Sequence, residues 1–186
     1  MENKIQWTND DFIIFKSKQR SFEKYANIMK TFPLVNVAVN KDFQKLFNGF
    51  YRVRRGADWQ KVYYELLQSK KNTEASFEEI LRFIYEKTGR IEASFSSKLV
   101  HTLNPAMPIW DKFVLQKLGL KIELCSGEEK IKKCVKIYSA IIKWYQDVLP
   151  QPTTQAFLKN FDKYFPDYAW MSSTKKLDFS LWMIRE

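Results

Sequence analysis

Glycine is scarce in this chain, five in 186 residues, and proline hardly commoner at six. The many tight turns of a sandwich or barrel depend on both, so a β-rich architecture is excluded. Cys125 and Cys134 lack the paired CxxC spacing of a zinc site and are too few for a disulfide framework, so both are expected as free thiols in a reducing cytosol. His101 is the only histidine, and with two distant cysteines it builds no ligand cluster; neither metal nor other cofactor is expected. No apolar run approaches the roughly 18 residues that span a bilayer. Met1-Glu2-Asn3-Lys4 lacks the basic-then-apolar layout of a secretion signal. A cytoplasmic location with no membrane partner is therefore expected. Phosphate-loop and dinucleotide fingerprints are missing for want of glycines, and no GxSxG elbow occurs.

What is present is apolar and basic. Residues of hydrophobic type make up 45% and charged ones 28%, which is ordinary for a globular chain and argues against wholesale disorder. Aromatic residues reach 16%, enough that some could serve as stacking surfaces while most fill a core. Lysine and arginine exceed aspartate and glutamate by ten, a field that attracts polyanions. Nucleic acid, DNA in particular, is the expected partner, and an acidic protein partner is the competing one. Lys130, Lys132, Lys133 and Lys136 read instead as an exposed solubilising stripe. The pattern leaves the oligomeric state open.

The dominant period is helical. Phe12, Phe15, Phe22, Tyr25, Ile28 and Met29 predict one long helix from near Asn9 to just before Pro33. Residues 34–40 alternate weakly and suit a short strand or an extended crossing. Asp42 is expected to cap the next helix, and a further one follows Arg52-Val53-Arg54-Arg55-Gly56. Ser76 with Glu79 forms a capping-box pattern, and Gly89 is placed to close the helix it opens. Helices are then expected over Glu92 to Leu103, from Asp111 to Gly119, over Glu128 to Leu149 and in two final segments. The fold class is all-α, a compact single domain of eight or nine helices spanning 1–186, with residues 121–127 as the candidate boundary between two lobes.

Chemistry concentrates in the middle. Asp111 follows Pro105 and Pro108, which stiffen its loop, and precedes a helix; it suits both a helix cap and a fixed carboxylate at a cleft. Lys98 and His101 lie three apart on one helix among small residues Ala93, Ser94, Ser96 and Ser97. These three form the candidate catalytic set. Arg52, Arg54 and Arg55, flanked by Trp59 and Lys61, make the densest basic patch, suited to phosphates with rings for stacking. Gly89 and Arg90 form a turn that adds to this nucleic-acid set.

With this layout the stretch Thr88-Gly89-Arg90 through Pro108-Ile109-Trp110-Asp111-Lys112-Phe113-Val114 resembles the helix-hairpin-helix superfamily of base-excision DNA glycosylases. Thr88-Gly89 falls where that family has its hairpin turn, and Asp111 where it has its catalytic aspartate. The resemblance implies a two-lobed helical fold that binds DNA and cleaves the N-glycosidic bond of a damaged or modified base. Ile91 stands at the hairpin's second glycine, and Ala93 at the lysine nucleophile of the bifunctional members. The resemblance therefore carries a role to Asp111 alone and implies hydrolysis by water, while Lys98 rests on its local geometry. A non-catalytic nucleic-acid-binding module and a helical protein-interaction scaffold are the competing functions.

Overall fold

A computed structural model describes residues 7–184. Among them the chain is all-helical. It forms ten α-helices: α1 Asn9–Ser17, α2 Arg20–Thr31, α3 Lys41–Tyr51, α4 Ala57–Ser69, α5 Phe77–Thr88, α6 Ala93–Leu103, α7 Lys112–Lys117, α8 Gly127–Val148, α9 Pro152–Tyr164 and α10 Ser173–Met183. None is long and apolar enough to cross a membrane.

The tenth helix arises because the expected long first helix is two. At Lys18 and Gln19 the backbone tightens, with Lys18 N bonding both Ile14 O and Phe15 O and Gln19 N reaching Lys16 O. No glycine or proline marks the break, so no sequence signal was available. Lys18 is held there from a distance: its Nζ donates to Met183 O at 2.7 Å. At the start of α1, Asp11 accepts from Thr8 N at 2.7 Å, half of a capping box.

Residues 34–40 form no strand. A 3₁₀ turn, Phe32–Leu34, runs into a turn in which the Asn36 side chain accepts from Ala38 N. Gln44 and Gln68 take up the polar groups of Val37 that a strand would have offered to a neighbour. Asn40, not Asp42, caps α3, accepting from Phe43 N at 2.8 Å. The Ser76 cap of α5 forms as expected, but the Glu79 carboxylate pairs with Lys70 instead of reaching back. Gly89 ends α5 at φ +68, a conformation open to glycine without strain. Pro152 opens α9, where its missing N–H costs nothing.

Burial falls into two clusters. The larger draws on α2 to α8 and packs α5 between α4, α6 and α8. Residues 121–127 join α7 and α8, both of which feed this larger cluster. The smaller is mostly aromatic and joins helices from both ends of the described chain: Phe12, Phe15, Phe22 and Tyr25 from α1 and α2 meet Phe157, Phe161 and Phe179 from α9 and α10. Phe22 sits at its centre, fully buried, with edge-on contacts to Phe161, Phe165, Tyr168 and Phe179 at centroid distances of 4.8–5.5 Å. Edge-to-face packing adds to area burial. Phe22→Ala should therefore cost about 3–5 kcal/mol in a urea-unfolding measurement. A loss below about 1 kcal/mol would mean the cluster collapses around the gap and does not anchor the termini.

Candidate functional site

The loop between α6 and α7, residues 104–111, is held by side chains from several helices. Four consecutive carbonyls are taken up. Ser172 donates to Pro105 O at 2.6 Å and Thr174 to Ala106 O at 3.0 Å. His101 Nδ1 meets Met107 O at 2.6 Å, and the Tyr138 hydroxyl meets Pro108 O at 2.8 Å. The loop amide of Trp110 in turn donates to Ser97 Oγ at 2.8 Å. Asp111 emerges at the end of this clamp and caps α7, Oδ1 accepting from Phe113 N at 2.9 Å. One carboxylate oxygen thus fixes the helix.

Asp111 opens into a cavity of about 400 Å³. Its wall brings together α3, α6, the loop, α7 and α10, at the seam of the two buried clusters. Lys98 of α6 and Arg52, just past α3, share it with Asp111 and Lys112. Rings of Phe50, Tyr51, Trp110, Phe113, Phe179 and Trp182 line it. Arg52 is placed by its own backbone, the left-handed C-cap of α3 at φ +55, an unusual conformation for a non-glycine residue.

Lys98 is partly buried. Its Nζ donates to Tyr51 O at 3.3 Å and lies 4.8 Å from the Phe95 ring centre. Burial pulls its pKa down to about 8, against the opposing pull of Asp111 and Asp178. A minor share of neutral amine is thereby present near neutral pH, larger than an ordinary lysine has.

Two further charged residues were not singled out from the sequence. Lys175 and Asp178 on α10 form an ion pair at 2.6 Å, with side-chain exposures of 3% and 9%. The ammonium sits 4.4 Å from the Phe179 ring centre and 4.8 Å from that of Tyr25. Burial pushes the Asp178 carboxyl up while Lys175 draws it down. The readable signal was composition: Lys175-Lys176-Leu177-Asp178-Phe179 mixes charge and apolar bulk with no clean polar face, and residues 174–180 are all buried.

The other expected site residues divide. His101 is fully buried and outside the cavity wall. Since a carbonyl only accepts, Nδ1 carries the proton toward Met107 O and Nε2 accepts from the Tyr25 hydroxyl at 2.9 Å. Its place is structural, tying α6 to α2 and to the loop. Trp59 is also buried, stacked on Tyr63 at 5.0 Å, so its ring offers no stacking surface. Arg55 is engaged: Nε donates to Glu92 at 2.8 Å and the guanidinium lies over Phe95. Arg54, Lys61, Gly89 and Arg90 are exposed but do not line the cavity. Of the sequence-derived set, Asp111, Lys98 and Arg52 converge.

Comparison of the chain with protein-family profiles, with characterised proteins and with solved structures yields no match.

Burial and nearby Lys175 lower the His101 pKa to about 3, with the Met107 contact opposing. The unfolded chain, with an ordinary histidine near 6.5, takes up a proton that the native state refuses. Stability linked to His101 is therefore complete above pH 6.5 and lost as pH falls from 6.5 toward 3. Urea midpoints across that window should fall more steeply for the native protein than for His101→Gln. Parallel curves would show that the ring accepts its proton within the fold.

Proposed function

We propose that this protein binds DNA and receives a base, flipped out of the duplex, in the cavity beside Asp111, as base-excision glycosylases do. The observation that carries this reading is the convergence of Asp111 and Lys98, thirteen positions apart, in one aromatic-lined cavity with Arg52. The cavity volume lies within the roughly 300–1,000 Å³ of small-molecule sites, and flat rings suit a flat base. The sequence resemblance implies that role for Asp111.

The chemistry would run as hydrolysis. The bond between C1′ of the sugar and the base nitrogen breaks, the electron pair leaving with the base, which gains a proton. Positive charge grows on the sugar ring, and a preorganised carboxylate is the group to stabilise it. Water then bonds to C1′ and gives up its proton. Asp111 supplies the charge, and Lys98, partly neutral, can accept the proton from the water. Arg52, exposed at the rim, meets a backbone phosphate.

One observation favours a binding protein without catalysis: Asp111 already serves as a helix cap. Substitution separates the roles. Asp111→Asn keeps the cap, since Asn caps about as well, and removes the charge. In an enzyme it should lower base release from a lesion-bearing duplex by on the order of a hundredfold or more. Asp111→Ala should cost about 1 kcal/mol of stability in either case. Native protein that binds duplex but releases no base from a lesion panel would leave the binding module. A borohydride-trapped complex that disappears in Lys98→Ala would reassign the nucleophile from water to the lysine.

DNA binding itself is tested at Arg52. Arg52→Ala should weaken duplex affinity and lower the slope of log affinity against log salt by about 0.9, one phosphate contact. An unchanged slope in the folded variant would remove Arg52 from the interface.

A further inference from the structure

The charges of the cavity are graded by burial. Arg52 and Lys112 are exposed, Lys98 and Asp111 are half-buried, and Lys175 and Asp178 are nearly sealed. A nucleotide has the matching order: phosphate outside, sugar between, base innermost. The sealed pair is costly, because two charges leave water, and an apolar pair of similar volume would be neutral or stabilising. Packing therefore gives no reason for it.

Its hydrogen-bonding capacity is also unspent. Among the described residues, Lys175 Nζ makes one hydrogen bond, to Asp178 Oδ2, and is otherwise surrounded by the rings of Phe179, Tyr25 and Phe50. Among the described residues, two N–H bonds of that ammonium and Asp178 Oδ1 have no further hydrogen-bond partner. A donor and an acceptor thus stand side by side on the wall of an aromatic cavity.

We infer that Lys175 and Asp178 read the edge of the base, selecting one that presents a ring N–H next to a carbonyl, a 6-oxopurine or a 4-oxopyrimidine. The inference rests on the nucleic-acid reading of the cavity. The carboxylate accepts from the ring N–H and the ammonium donates to the carbonyl, both charge-assisted bonds. A lactam N–H is a more acidic donor than an exocyclic amine, and a carbonyl oxygen a better acceptor for ammonium than a ring nitrogen. Adenine and cytosine, which offer an amine and a ring nitrogen, are matched less well.

The test uses duplexes with one variable base opposite a stable abasic analogue, so that pairing does not compete, read by fluorescence anisotropy. Native protein should prefer guanine, hypoxanthine or uracil over adenine or cytosine by about tenfold, the worth of one good bidentate contact. N1-methylguanine, which lacks the N–H, should lose that preference in the unaltered protein. The double variant Lys175→Met, Asp178→Leu removes both charges together, avoiding an unpaired buried ion. It should keep the salt slope while its base preference collapses.

Equal affinity for all bases, or N1-methylguanine bound as tightly as guanine, would overturn the base-reading role and leave DNA binding standing. A folded double variant that keeps the preference would also overturn it. No duplex binding at low salt would overturn the nucleic-acid reading and this inference with it. Should the double variant not fold, the N1-methylguanine comparison in native protein decides.

Discussion

The site depends on the capture of four consecutive carbonyls, Pro105 to Pro108, by Ser172, Thr174, His101 and Tyr138. A loop that passes from the surface into a protein interior must find partners for the backbone groups it buries, because each one left unmet costs about 1–3 kcal/mol. Here the donors come from α6, α8, α10 and the residue before α10, so the loop is fixed by most of the molecule at once. Asp111 inherits that rigidity. Its own bond to the Phe113 amide then sets where α7 begins and where Phe113 and Leu115 meet the cavity.

The same contacts explain why the chain ends matter to a site in its middle. Ser172 and Thr174 reach the loop only because α10 lies against it, and α10 is held by the aromatic cluster that joins α1, α2 and α9. Lys18 on Met183 O and the rings around Phe22 fasten this arrangement. Lys175 and Asp178 ride on the same helix. Packing of the termini and composition of the cavity are therefore one problem, solved by α10.

Much of this was legible. Helical periodicity, Ser76 and Gly89 as caps, and Asp111 at the start of α7 all rest on local rules, and each is met in the structure. Asp111 was singled out by its motif and Lys98 by its local geometry, and the two share a wall. What failed depends on contacts distant in sequence. Ser17-Lys18-Gln19 contains nothing that breaks a helix; the break follows from docking both halves against the C-terminal helices. Trp59 and Arg55 sit in a patch that reads as basic and aromatic, but Tyr63, Phe95 and Glu92 absorb them. His101 was chosen for its place three residues after Lys98, and its partners Tyr25 and Met107 could not be found by spacing. Pro105 and Pro108 were credited with stiffening a loop that hydrogen bonds hold.

The electrostatics of the cavity join these threads. Arg52, Lys98, Lys112 and Lys175 face Asp111 and Asp178, four basic groups against two acids in one small space. Burial lowers the Lys98 pKa to about 8; Asp111 and Asp178 oppose that shift and Lys175 adds to it. Each acid has one oxygen committed, that of Asp111 to a helix end and that of Asp178 to Lys175. The excess of positive charge in the whole chain and in the cavity therefore point the same way. In the proposed reading, a ligand that brings negative charge to the rim and a neutral, hydrogen-bonding ring to the interior would meet Arg52 outside and Lys175 and Asp178 within.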